Sequence, residues 1–283
     1  MKPLLKYRGG KSKEIPLFEK YIPNTYETYF EPFLGGGAVY FYLNPERAII
    51  NDINDGLMDF YSSVRNDFST VVEQLNSIQE LYDANQREYE AQKAVTPDER
   101  VENKNEQLYY HLRDMFNHKI ESEYLDAVLY YFINKTAYSG MIRYNTFGEY
   151  NVPFGRYKNF NTKLITEDHH TLLERTQLMS DDYSKVFELS CDNDFMFLDP
   201  PYDCIFNDYG NLEYTNGFDE KEHIRLAEEY KKLTCKALMV IGKTPLTEGL
   251  YKDYIIDEYD KSYAVNIRNR FKAQAKHIIV ANY

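Results

Sequence analysis

The chain has 283 residues, 43% of them hydrophobic and 28% charged, with a formal net charge of −12. This is the profile of a soluble globular protein with room for one large or two modest domains. No apolar run approaches the ~18 residues of a membrane span, and Met1-Lys2-Pro3-Leu4-Leu5-Lys6 turns polar too soon for a secretory signal.

Cys191, Cys204 and Cys235 form no C-x-x-C pair, and the histidines form no H-E-x-x-H or H-x-E arrangement. A disulfide framework, a zinc hydrolase and a zinc deaminase are therefore poor fits, and a reducing, cytoplasmic setting without a bound metal is expected. The negative total is awkward for phosphate binding, so the distribution matters more. Carboxylates gather in 67–123 and 208–229, whereas Lys261, Arg268, Arg270, Lys272 and Lys276 lie in a stretch without one. Lys135, Arg143, Arg156, Lys158 and Lys163 face only Glu149 in their window. A charge run is by default a solvated face, so these windows leave room for a polyanion without requiring one.

In chain order, Gly9-Gly10 permits a tight bend, and Lys11-Ser12 opens a helix where anions can gather. Taken alone, this is a structural turn. Tyr26 to Phe41 reads as strand, glycine turn (Gly35-Gly36-Gly37) and helix. A dinucleotide fingerprint wants a further glycine where Tyr40 stands, which disfavours a nicotinamide dehydrogenase. A second strand, Ala48-Ile49-Ile50-Asn51, ends in Asp52-Ile53, and an acid at that tip can accept from both ribose hydroxyls. Glycine turn plus acidic strand tip calls for a nucleoside-containing cofactor.

From Leu57 to Phe132 the pattern becomes long polar helices, broken at Thr96-Pro97-Asp98-Glu99, with Pro97 expected as a first helical residue. This helical insertion separates two halves of an α/β sheet. A polar, aromatic and basic region follows, with a hairpin around Asn145–Gly148. Its apolar tips suit wedging between base pairs and its arginines suit guanine edges or phosphates. By itself it reads first as an ordinary surface hairpin.

Phe195-Met196-Phe197-Leu198 is a strand buried on both faces, and Asp199-Pro200-Pro201-Tyr202 follows at its carboxyl end, where open α/β sheets keep their ligands. Two prolines stiffen the turn, so a carboxylate, a rigid carbonyl and a flat ring lie within four residues. That set suits a planar substrate whose exocyclic amino group donates both hydrogens, although a plain strand-exit turn uses the same residues. Beyond a loop to Gly217 come a helix within Phe218–Leu233 and a buried strand at Ala237–Gly242. Two antiparallel strands at Tyr254–Tyr259 and His277–Tyr283 then complete the sheet, with the basic Arg268–Lys276 loop at their tip.

With these pieces placed, the sequence resembles the Dam-type DNA adenine-N6 methyltransferases, the group whose cofactor motif precedes the target-recognition insert. Lys6-Tyr7-Arg8-Gly9-Gly10-Lys11 is similar to the family's N-terminal motif, which usually has tryptophan where Tyr7 stands. Phe30 to Gly37 resembles its S-adenosylmethionine loop, Asn51-Asp52-Ile53-Asn54 its ribose-binding tip, and Gly148 to Tyr157 its signature hairpin. The resemblance implies an α/β fold: a Rossmann-like class I methyltransferase sheet, 1–58 and 164–283, with a mainly helical DNA-recognition domain, 59–163, inserted.

It further implies S-adenosylmethionine as methyl donor, held by Tyr7, Lys11, Phe33, Gly35, Gly37, Asp52, Ile53, Asp182 and Asp199. Asp199, Pro200, Pro201 and Tyr202 would be catalytic. Lys6, Tyr138, Ser139, Met141, Arg143, Arg156 and Lys158 would meet double-stranded DNA. A monomer methylating N6 of a flipped adenine, in GATC or a related short site, is the expected actor, with a restriction system, a phage or virus, or host regulation as its setting. Family members that read GATC often carry asparagine where Ser139 stands, and the segment after Asn266 departs from their serine- and glycine-rich loop. Methylation of RNA or of another planar amide is the alternative, and a catalytically silent DNA-binding module is another.

Overall fold

Short apolar runs punctuated by glycine turns build one seven-stranded sheet in the computed structural model of this chain. The structure describes every residue except Arg8, 204–217 and 263–273, together with the side chains of 262, 274 and 275. The loop expected to run on to Gly217 and most of the expected basic loop after Asn266 lie outside the described residues.

A single 3-10 turn at Lys11–Lys13 leads into α1 (Ile15–Phe18), then β1 (Tyr29–Glu31), α2 (Ala38–Leu43) and β2 (Ala48–Asn51). Four long helices follow: α3 (Asp55–Asn66), α4 (Phe68–Val95), α5 (Lys104–Phe116) and α6 (Asp126–Thr136). After the loop region come α7 (Glu167–Glu174), β3 (Thr176–Met179), α8 (Tyr183–Phe187), β4 (Phe195–Leu198) and α9 (Glu220–Tyr230). The chain ends with β5 (Lys236–Gly242), α10 (Pro245–Tyr251), β6 (Ile255–Ser262) and β7 (Gln274–Ala281).

Strand order is β3-β2-β1-β4-β5-β7-β6. The first five strands run parallel, while β7 lies antiparallel between β5 and β6. This is the mixed α/β sheet that the resemblance implies. The chain steps outward from β1 to β2 on one side and returns to β4 on the other, so the carboxyl ends of β1 and β4 flank the topological switch point. Every residue of β4 is buried, as its apolar composition requires. Phe30, Met196, Leu198, Leu226, Met239, Ile241 and Ile278 fill the core around it.

Packing divides the chain into two units. One holds 11–34, 38–54 and 175–283 and contains the whole sheet; the other holds 1–10, 35–37 and 55–174 and contains α3 to α7. No helix among the described residues is long and apolar enough to cross a membrane.

In the helical unit, buried tyrosines meet the loop region through their hydroxyls. Tyr109 donates to the Val152 carbonyl at 2.8 Å and Tyr131 to the Asn161 carbonyl at 2.8 Å, and Tyr82 donates to the Tyr157 carbonyl. Their rings pack with Phe132, Phe154 and Phe160. The expectation for Pro97 is corrected: it lies in the turn after α4, and α5 begins at Lys104 with Asn103 as its cap, whose side chain accepts from the Asn105 amide. Pro97 has the fixed φ of a first helical residue, but Asp98 to Asn103 separate it from the start of α5.

Candidate active site

Asp199 leaves the end of β4 with its side chain 22% exposed. One oxygen, Oδ1, accepts from the Lys11 ammonium at 2.5 Å and from the Tyr202 hydroxyl at 3.3 Å. The other, Oδ2, and the Pro200 carbonyl accept no hydrogen bond among the described residues. Lys11 is 2% exposed, and its ammonium also donates to the Tyr202 hydroxyl at 2.5 Å. Burial pushes the Asp199 carboxyl up from its ordinary value, and the adjoining Lys11 ammonium pulls it partly back. The Tyr202 ring lies over Gly242 of β5, where even a Cβ would stand 3.8 Å from it, and meets the ring of His277 edge-on at 5.0 Å. Thr244 steadies the far end of the turn by donating to Asp203 at 2.7 Å. The stretch Asp199–Tyr202 and Lys11, distant in sequence, thus share one cluster.

Glu31, at the end of β1, is 2% exposed and accepts from the Tyr29 hydroxyl at 2.6 Å and from the Tyr40 amide at 3.0 Å. Burial, reinforced by the Asp199 charge, pushes its carboxyl up to about 8, so it is largely neutral at pH 7. A raised folded value means that the folded chain holds a proton which the unfolded chain releases above its ordinary value near 4.5. This group therefore makes stability fall as pH rises from about 4.5 to about 8, by roughly 2–4 kcal/mol. Glu31→Gln should match the parent near pH 5, exceed it near pH 8 and flatten the slope. Denaturant unfolding across that range checks this; identical slopes in both proteins would refute it.

At the tip of β2, Asn51 binds the neighbouring strand ends together. Its amide donates to the carbonyls of Pro32 and Asp181, each at 2.9 Å, while its own carbonyl accepts from Leu34. Asp52 is thereby held at the sheet's carboxyl edge, 7% exposed, with Oδ1 accepting from the Asn54 amide. Ile53 beside it is half-buried. Phe33 is half-buried against the rings of Tyr183 and Phe218, at 5.1 and 6.1 Å. Asp182 caps α8 through the Ser184 amide and pairs with Arg225 at 2.6 Å, so both its oxygens are engaged.

In the helical unit, Tyr7 lies directly on the glycine turn. A Cβ at Gly35 would stand 2.8 Å from its ring, and one at Gly36 would stand 2.9 Å from its Cβ. Gly35 and Gly37 also have φ of +49° and +65°, the left-handed region that favours glycine. Lys6 is fixed by a reciprocal pair of 2.8 Å bonds between its main chain and the Asn134 amide, and its ammonium lies 3.9 Å from the centre of the Tyr157 ring. Lys135, which the sequence marks only as part of a basic window, adjoins it. Burial, aided by the Lys6 charge, pushes the Lys135 ammonium down to about 8. Neither lysine has a carboxylate within ion-pair reach among the described residues.

The expected hairpin is present. Tyr144 bridges Tyr150 antiparallel, Asn145 accepts from the Phe147 and Glu149 amides, and Phe147 at the tip is 86% exposed. Arg143 is braced on Asn151 at 2.7 Å, and the Met141 carbonyl accepts from the Tyr150 hydroxyl at 2.8 Å. Tyr138 is 46% exposed, and exposed Ser139 takes the left-handed conformation (φ 56°). Arg156 and Lys158 are exposed and reach towards Glu106 and Glu90, at 3.7 and 3.3 Å.

The family model for D12 class N6 adenine-specific DNA methyltransferases matches residues 7–265. The chain belongs to this family. It is 35% identical over 291 residues to the type II methyltransferase M.CviBI of Paramecium bursaria Chlorella virus NC1A, with 100% of both chains covered. To the type II methyltransferase M1.LlaDCHI of Lactococcus lactis subsp. cremoris it is 30% identical, covering 100% of this chain and 96% of the relative. To the DNA adenine methylase of Salmonella typhi it is 28% identical, covering 88% of this chain and 83% of the relative. This methyltransferase is thus an enzyme of DNA adenine methylation, and the α/β fold and adenine-N6 chemistry expected from the sequence both stand.

Proposed function

We propose that this methyltransferase takes S-adenosylmethionine as donor and extrudes one adenine from double-stranded DNA, placing its N6 between the open Asp199 oxygen and the Pro200 carbonyl. The pair of acceptors that are unengaged among the described residues is the observation that carries this reading. Adenine N6 is a weak nucleophile because its lone pair is delocalised into the ring. When Asp199 Oδ2 and the Pro200 carbonyl accept its two hydrogens, the lone pair is localised and aimed, so the residues act by orientation and electrostatics. Extrusion costs a few kcal/mol, and stacking on the Tyr202 ring returns about 1–3 kcal/mol. Lys11 keeps Asp199 ionised by holding its other oxygen. As N6 gains its methyl group it becomes cationic, and Asp199 Oδ2 takes up one proton and passes it to solvent.

The donor set of the sheet unit fits a nucleoside sulfonium: an acid at a strand tip and an aromatic wall beside it. Lys11, Phe33, Asp52, Ile53, Asp182 and Asp199 of the sheet unit would hold it. When bound, it supplies an electrophilic methyl group. Residues 1–58 and 164–283 then serve catalysis and 59–163 serve recognition, a division by role that differs from the division by packing. Lys6, Tyr138, Ser139, Met141, Arg143, Arg156 and Lys158 would meet the duplex, and GATC is the first short site to test. Incubation with methyl-tritiated donor should label duplex DNA as N6-methyladenine and leave RNA unlabelled. Label in RNA alone, or none in DNA, would refute the proposal.

A further inference from the structure

Behind Tyr202 and Lys11 lies a buried charged group that the motifs leave unassigned. Glu14, 3% exposed, accepts at Oε2 from His277 Nδ1 at 2.9 Å and from the Tyr259 hydroxyl at 2.7 Å, and at Oε1 from the Lys261 ammonium. His277 is fully buried, and its ring stands edge-on between those of Tyr202 and Tyr259, at 5.0 and 5.4 Å. The Glu14 amide donates to the Lys11 carbonyl at 2.7 Å, so the same residue fixes the backbone from which the Lys11 ammonium reaches Asp199. Replacing a buried ion pair by apolar residues of like volume is often neutral or stabilising. Stability alone is therefore a weak reason for a carboxylate and an imidazole here.

We propose that Glu14 and His277 are positioning residues for methyl transfer: His277 sets the ring plane of Tyr202, and Glu14 sets both His277 and Lys11, and through Lys11 the Asp199 carboxylate. Asp199 is then faced by Lys11, Glu14, Glu31, His277 and Tyr202. The proposal rests on the reading of Asp199–Tyr202 as the centre that binds adenine. The Glu14 charge raises the Asp199 carboxyl, since two neighbouring negative charges oppose each other. Removing that charge lowers the value, and Asp199 stays ionised to lower pH.

The test is single-turnover methyl transfer from tritiated S-adenosylmethionine to duplex DNA from a methylation-deficient host, measured from pH 5 to pH 9 alongside thermal melting. Glu14→Gln should slow transfer about 10–100-fold at the optimum and move the acid limb to lower pH by about half a unit or more. His277→Phe should slow transfer about 10-fold and leave calorimetric affinity for the donor unchanged, because the ring at 277, no longer fixed by Glu14, no longer sets the Tyr202 ring plane, while the strand tips are untouched. Glu14→Asp keeps the charge one methylene short and should slow transfer with the limb in place. Parent-like rates in Glu14→Gln and His277→Phe would overturn the proposal. So would rate losses that only track melting temperature while the limb of Glu14→Gln stays put. Should Glu14→Gln fail to fold, the rate and donor affinity of His277→Phe decide. A parent chain that never methylates DNA counts against the functional reading itself.

Discussion

Asp199→Ala is expected to lose methyl transfer by about a thousandfold or more, since it removes the acceptor that orients N6 and the group that takes its proton. The loss should fall on the single-turnover rate, because Tyr202 and the residues proposed to meet DNA remain. Asp199→Asn should fall between parent and alanine. Its one amide oxygen can serve either Lys11 or the base, and its NH2 group would then point a donor at a donor. Filter binding to duplex DNA, run beside the transfer assay, separates the two effects. Parent-like turnover in Asp199→Ala would remove that carboxylate from the mechanism.

Lys11→Met should be the second most damaging change, for a different reason. The ammonium is 2% exposed and is the ion-pair partner of Asp199 at 2.5 Å. Withdrawing one member of a buried pair typically costs about 3–5 kcal/mol. Asp199 is partly exposed and can take up a proton, so about 2–3 kcal/mol is expected, or roughly 5–10 °C in Tm. Without the ammonium the Asp199 carboxyl rises further and more of it is protonated at neutral pH. Transfer should therefore fall at pH 7 and recover in part as pH is raised. If Lys11 only contacted the donor, its loss would weaken donor binding and leave the acid limb in place. The pH–rate profile of the variant distinguishes these.

The parts of the fold that were legible in the sequence are those whose cause is local. β4 shows itself as four apolar residues, the turn after β1 by consecutive glycines, and the hairpin by Asn145 and Gly148. β3 does not: Thr-Gln-Leu-Met on a sheet edge is mostly half-buried or exposed and carries no apolar run. Asp199 and Tyr202 were readable because they sit in one tetrapeptide, but the partnership of Lys11 with them spans 188 residues and leaves no local mark. Glu14 with His277 is the same case. Each reads as an ordinary polar residue until the sheet brings β7 beside the start of the chain's first turn. Asp182, taken from the resemblance as a donor contact, is seen to cap α8 and bind Arg225.

The tyrosine clamps of the helical unit carry a further consequence. Tyr109 and Tyr131, like Tyr82, grip peptide carbonyls between Val152 and Asn161, and the side chains they pack on there, Phe154 and Phe160, face inward. A grip on the main chain is blind to residue identity, so the outward-facing residues of this strip are released from the duty of holding it in place. Lys158 can then be exchanged for other residues at little energetic penalty to the scaffold, and Arg156, at φ 54°, for residues that tolerate the left-handed region. If these residues meet the duplex as proposed, a lineage of such enzymes has a physical route by which to change the DNA words it marks while keeping the machinery that marks them.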